Sequence, residues 1–132
     1  MHRAPLEGLR VLILEDEFLI AMDVEQLCRD HGAADVSILR HLDELKAATF
    51  DADAFHVAIV DVMLAGQSTI GFAGELAERG IPFVFATGYS GSDTLFDAFP
   101  GVAIVGKPYV GSTLIDAVIA AVNRRHELSG GV

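Results

Sequence analysis

The fold is indicated first by a short apolar run that ends in acids, LRVLILEDE at residues 9–17. Its apolar part, residues 9–14, is nearly continuous rather than alternating, which is typical of a strand buried on both faces of a parallel sheet. Four further runs predict strands at residues 34–39, 57–60, 81–86 and 102–105, of which the first is the weakest. The sequence therefore predicts five buried strands.

Helical patterns separate these runs. In residues 17–31 the apolar positions Ile20, Val24, Leu27 and Cys28 recur on one helical face. Further helices are predicted at residues 42–50, 70–79 and 110–126, and residues 92–99 hold at most a short one. This alternation predicts an α/β fold with a doubly wound five-stranded parallel sheet. In such sheets the functional site lies beyond the carboxyl ends of the strands.

Composition limits the class of protein. The chain has 132 residues, 52% of them hydrophobic, a formal net charge of −10 and one cysteine. These values predict one domain over residues 1–132, with a core at about 8–126 and short tails. The acidic balance argues against nucleic-acid and anionic-membrane partners. With no signal peptide, no membrane-spanning run and no disulfide framework, we expect a cytoplasmic protein.

Chemically active side chains follow four of the predicted strands. Glu15 and Asp16 end the first, Asp61 the third and Thr87 the fourth, and Lys107 follows the fifth. Because parallel strands end at one edge of the sheet, these side chains are expected to meet there.

An oxygen-only acidic cluster of this kind suits Mg²⁺, or alternatively Mn²⁺, rather than zinc. Without a cation the carboxylates would repel one another. Asp61, on the central strand, is the natural nucleophile and would form an aspartyl phosphate. Lys107 would offset negative charge, and Thr87 would hydrogen-bond a phosphoryl oxygen.

In order and spacing, these residues resemble the receiver domain of two-component response regulators, the CheY-like superfamily. The resemblance covers essentially the whole chain and implies a flavodoxin-like three-layer sandwich with strand order 2-1-3-4-5. The segment FATGY, residues 85–89, resembles the signature of the FATGUY branch of receivers. Members of that branch often work with sensor histidine kinases of the HWE or HisKA2 type.

The resemblance also implies roles for the site residues. Asp61 would accept a phosphoryl group from a kinase phosphohistidine. Asp16 would bind Mg²⁺ directly, Glu15 through water, and Met63 through its backbone carbonyl. Lys107 would pair with phosphoryl oxygens, in a cis peptide with Pro108, and Thr87 would move toward the phosphoryl group as a switch.

Two features depart from the majority receiver pattern. Ile104 stands where many receivers have an aromatic residue, so the usual aromatic switch is absent. Residues 88–99 are rich in Gly and Ser, and our hypothesis is that their ordering replaces that switch. The last helix is apolar around much of its circumference, which indicates either extra core or a contact face for a second copy or a partner protein.

The sequence thus predicts a single-domain response regulator that signals by protein contact and turns over no small molecule. One alternative is a phosphoryl-transfer hydrolase with an aspartyl-phosphate intermediate, although neither a second acid at Met63 nor a cap insertion is present. A pseudo-receiver that never takes phosphate is a second alternative. A third is a receiver module cut from a larger hybrid kinase or regulator.

Overall fold

The computed structural model describes residues 4–47, 50–88, 97–107 and 111–130. Its main sheet has five parallel strands in the order β2-β1-β3-β6-β7. In chain order these are β1 (Arg10–Leu14), β2 (Asp35–Leu39), β3 (Val57–Asp61), β6 (Phe83–Thr87) and β7 (Ile104–Gly106). Counted among themselves, they follow the order 2-1-3-4-5, so the predicted fold class and strand order are confirmed.

Besides the main sheet, the described residues include three α-helices, two short 3₁₀ helices at Leu42–Lys46 and Ala52–Ala54, and a small hairpin. The α-helices are α1 (Phe18–Asp30), α2 (Ile70–Glu78) and α3 (Gly111–Gly130). The hairpin pairs β4 (Met63–Leu64) with β5 (Gln67–Ser68) in antiparallel fashion. All three helices fall where apolar periodicity predicts them.

Two apolar layers cover the sheet. On one face, side chains of β1 and β3 such as Ile13 and Ile59 pack with α1 and α3. On the other face, Leu12, Val60 and Phe85 pack with α2. Each strand sends alternate residues to opposite layers, which explains why its sequence is continuously apolar.

The predicted helix at residues 42–50 is wrong. The structure has a 3₁₀ helix at Leu42–Lys46, and Ala47 already has extended backbone angles. Leu42 and Leu45 both pack against the core. Their spacing of three matches the three residues per turn of a 3₁₀ helix.

The β4–β5 hairpin was not predicted. Its turn residues Ala65 and Gly66 both have positive φ, 50° and 82°, which is typical of a type I′ turn. Leu64 beside the turn is fully buried. The hairpin returns the chain to the end of β3, next to Asp61.

Many of the apolar side chains of α3 pack against the core. Leu114, Ile115 and Val118 are buried, and four more apolar residues pack against them at half-buried positions: Ala117, Ile119, Ala121 and Val122. For these residues the structure favours extra core over a contact face. Among the described helices, none is long and apolar enough to cross a membrane.

Candidate functional site

The candidate site residues meet at the carboxyl edge of the sheet. Glu15 and Asp16 follow β1, Asp61 ends β3, Thr87 ends β6, and Lys107 follows β7. These four strands are consecutive neighbours in the sheet. Because these strands run parallel, they all end at the same edge, so residues far apart in sequence come together here.

Three carboxylates form the centre of the site. Glu15, Asp16 and Asp61 each offer an oxygen, and these oxygens lie within 4.8 Å of one another. Glu15 and Asp61 are buried, whereas Asp16 is half-buried. The donor set is purely oxygen and fits a hard divalent cation such as Mg²⁺ or Mn²⁺.

Lys107 lies between two of these carboxylates. Its Nζ is 2.5 Å from Glu15 Oε1 and 2.8 Å from Asp61 Oδ2. Burial alone would lower the pKa of Lys107, but the hydrogen bonds to Asp61 and Glu15 outweigh burial and raise this pKa. The ammonium therefore remains charged at neutral pH and offsets part of the acidic charge.

For the carboxyl group of Glu15, burial outweighs the hydrogen bonds in setting the pKa. Burial raises its pKa above the ordinary value, against the hydrogen bond from Lys107, which lowers it. The backbone N–H of Glu17 also donates to Glu15 Oε2 at 3.1 Å. Glu15 is thus an acid whose ionised form depends on cations and donors close to it.

The two oxygens of Asp61 have different partners. Oδ1 accepts from the backbone N–H of Met63 at 3.3 Å, and Oδ2 accepts from Lys107. The side chain of Met63 is exposed, so this residue meets Asp61 through its backbone. The carboxylate is therefore held by hydrogen bonds to both of its oxygens.

Thr87 is buried at the same edge. Its carbonyl accepts from the backbone N–H of Lys107 at 2.9 Å, which ties the end of β6 to the residue after β7. The sequence pattern also predicts both residues at this edge. Pro108, the predicted cis peptide before it, and Tyr89 of the FATGY segment lie outside the described residues.

Two residues close to the site were missed. Thr69 donates its hydroxyl to the carbonyl of Asp61 at 2.6 Å. Arg40 donates to the carbonyl of Asp16 at 3.2 Å and lies over the ring of Phe18, 5.9 Å from its centroid. Arg40 directly follows β2, so its strand-end position was a usable signal. Thr69 carries no such signal, because only the hairpin brings it back to β3.

Solved structures similar to this chain include receiver domains. The receiver domain of the PhyR response regulator from Erythrobacter litoralis is 27% identical, with a TM-score of 0.69 over 89% of this chain and 92% of that one. A CheY-like receiver domain protein from Methanospirillum hungatei shares the fold at 20% identity, with a TM-score of 0.74 over 92% and 98% of the two chains. This chain is therefore similar, in fold and in sequence, to response regulator receiver domains of the CheY-like class.

This chain is also similar in sequence to curated proteins from two bacteria. The transcriptional regulatory protein PdtaR of Mycobacterium tuberculosis is 33% identical over 129 aligned residues, which cover 91% of this chain and 60% of PdtaR. Nodulation protein W of Bradyrhizobium diazoefficiens is 29% identical over 118 residues, 86% of this chain and 51% of that protein. This chain therefore spans between half and two thirds of the length of these relatives. No protein-family model matches it.

Proposed function

We propose that this receiver accepts a phosphoryl group on Asp61 from a partner histidine kinase, with Mg²⁺, and signals by protein contact. The observation that carries the proposal is the convergence of three carboxylates within 4.8 Å, with the Lys107 ammonium bonded to two of them. A nucleophile, a cation-binding set and a positive charge for the transferred group thus share one edge.

In the proposed reaction an Asp61 oxygen attacks the phosphorus of a phosphohistidine. A P–O bond forms while the P–N bond breaks, and the imidazole nitrogen leaves with the electron pair. In this proposal Lys107, which is hydrogen-bonded to Asp61, pairs with the phosphoryl oxygens after the transfer. Thr87, buried at the same edge, donates its hydroxyl to one of these oxygens and acts as the switch.

Mg²⁺ held by Glu15, Asp16, Asp61 and the backbone carbonyl of Met63 would neutralise charge on the phosphoryl group. Three ionised carboxylates and one ammonium leave two net negative charges, which a divalent cation would balance. Mn²⁺ would serve the same purpose, because it also prefers oxygen ligands.

The exposed apolar surface supports a protein as the phosphodonor. Within the described residues, the exposed large hydrophobic side chains are Phe18, Leu19, Met22, Met63 and Ile70. They lie on α1, which follows Glu15 and Asp16 in the chain, and on the segment from β4 to α2, which follows Asp61. Apolar patches next to a reactive site are typical of protein contact surfaces. We further propose that the kinase is of the HWE or HisKA2 type, as the resemblance of FATGY to the FATGUY signature implies.

The test is an intact-mass measurement after incubation with acetyl phosphate and Mg²⁺. The expected result is the mass of one added phosphoryl group, absent in Asp61→Asn and absent when the metal is chelated. Asp53→Asn is the matched control, because Asp53 is exposed and its carboxylate forms a salt bridge with Arg79 at 2.9 Å. If purified histidine kinases and acetyl phosphate all fail to add a phosphoryl group to the wild-type chain, the proposal is wrong. Steady release of phosphate from small phosphoesters would instead favour the hydrolase alternative.

A further inference from the structure

The hydroxyl of Thr69 is not used as its position predicts. Thr69 directly precedes α2 and is fully buried. A threonine there usually accepts a hydrogen bond from the first N–H groups of the helix. Thr69 makes no such bond. The backbone N–H of Ile70, the first residue of α2, donates to the Ser68 hydroxyl at 3.3 Å.

The hydroxyl points back to the end of β3. It donates to the carbonyl oxygen of Asp61 at 2.6 Å and lies 3.1 Å from that of Val62. The backbone N–H of Thr69 also donates to the Val62 carbonyl, at 3.0 Å. One buried residue therefore holds two consecutive carbonyls that adjoin the proposed phosphoacceptor.

Strand pairing, burial and a hydrogen bond hold the hairpin beside this contact. Met63 pairs with Ser68 and Leu64 with Gln67, and the Leu64 side chain is fully buried. The Met63 N–H inside the same loop donates to Asp61 Oδ1. Fixing the carbonyl of residue 61 and the loop that follows it therefore fixes the direction of the carboxylate.

We infer that Thr69 is a positioning residue that aims the Asp61 carboxylate through the β4–β5 hairpin; this rests on the function proposed above. A misplacement of about 1 Å slows a reaction by roughly 100-fold. The Thr69 N–H and the buried Leu64 side chain still hold the loop when the hydroxyl is lost. The expected slowing on its removal is therefore smaller, about tenfold.

The test compares three variants. All are assayed at one temperature, at which urea titrations show that each variant is folded in the absence of urea. Thr69→Val keeps the side-chain shape without the hydroxyl, Thr69→Ser keeps the hydroxyl, and Ser68→Ala removes a neighbouring exposed hydroxyl. The first readout is the rate of mass gain from acetyl phosphate at saturating Mg²⁺. The second is hydrogen exchange of the Met63 amide, which needs neither phosphodonor nor metal. We expect Thr69→Val to react about tenfold more slowly and to exchange faster at Met63, with both other variants close to wild type.

The inference is overturned if Thr69→Val phosphorylates at the wild-type rate, even with a lower stability, because its role is then structural only. It is also overturned if Thr69→Ser is as slow as Thr69→Val, since the hydroxyl would then be irrelevant. If the wild-type chain takes no phosphoryl group, the proposed function is wrong. The hydrogen exchange of the Met63 amide then tests alone whether Thr69 positions Asp61. Unchanged exchange in Thr69→Val then overturns the positioning role.

Discussion

Replacing Lys107 with methionine removes the ammonium that lies between two buried carboxylates. In the wild-type structure Nζ lies 2.5 Å from Glu15 and 2.8 Å from Asp61. Methionine has a similar length but no charge, so Glu15 and Asp61 would face each other without a cation. The variant therefore isolates the electrostatic part of the site from its packing.

The expected loss of stability follows from burial. The side chains of Lys107, Glu15 and Asp61 are 12%, 3% and 10% exposed. Breaking a buried ion pair by removing one partner costs about 3–5 kcal/mol. Because Lys107 retains some exposure to water, we expect the lower end, about 3 kcal/mol at pH 7 without metal.

The loss should depend on pH in a defined direction. Burial raises the pKa of Glu15, and the hydrogen bond from Lys107 opposes this rise. Without Lys107 the folded-state pKa of Glu15 rises further, so the folded state binds a proton more readily than the unfolded state. Stability then increases as the pH falls through this raised pKa. The deficit of the variant relative to wild type should be smaller at pH 5 than at pH 7, and Mg²⁺ at pH 7 should also reduce it.

Urea unfolding followed by circular dichroism measures these differences. Lys46→Met is the matched control, because Lys46 is exposed and its replacement should change stability by at most about 0.5 kcal/mol. The reasoning is refuted if Lys107→Met loses no more stability than Lys46→Met. A loss of equal size at pH 5 and pH 7 would refute the electrostatic explanation.

Two further predictions concern a pair of glycines and the cysteine. Gly66→Ala should destabilise the protein by about 1 kcal/mol in urea unfolding, because φ is 82° at Gly66 and L-residues are strained in that region. Gly74→Ala, inside α2 with open space at the added Cβ, should instead stabilise the protein by about 0.5–1 kcal/mol. Equal effects of the two substitutions on the free energy of unfolding would contradict this prediction. Burial raises the pKa of the Cys28 thiol to about 11. Iodoacetamide at pH 8 should therefore leave the native protein unmodified and alkylate Cys28 in urea, as measured by intact mass. Rapid alkylation of the native protein would contradict this prediction, because it would show that the thiol is accessible.

The sheet and most of the site could be predicted because both depend on the ends of buried strands. Continuous apolar runs predict parallel strands, and a parallel sheet places every carboxyl end at one edge. The approach of Glu15, Asp16, Asp61, Thr87 and Lys107 follows from that topology without any side-chain detail. The Lys107 contact with Glu15 and Asp61 also agrees with the predicted offset of negative charge.

Features that depend on how the chain returns on itself were missed. In the hairpin turn at Ala65 and Gly66, Ala65 has a positive φ. This conformation is uncommon for a residue other than glycine, so the sequence does not indicate the turn. Thr69 meets Asp61 only because that hairpin closes. The helix predicted over residues 42–50 failed because Leu42 and Leu45 have a spacing that also suits a 3₁₀ turn.

The most direct test of the central claim identifies the atom that carries the phosphoryl group. The protein is phosphorylated with acetyl phosphate and Mg²⁺, reduced with borohydride, which converts an acyl phosphate to an alcohol, and digested for peptide mass spectrometry. Our account predicts homoserine at position 61 and at no other acidic residue. Reduction at Asp16 or at another carboxylate, with Asp61 unchanged, would contradict it.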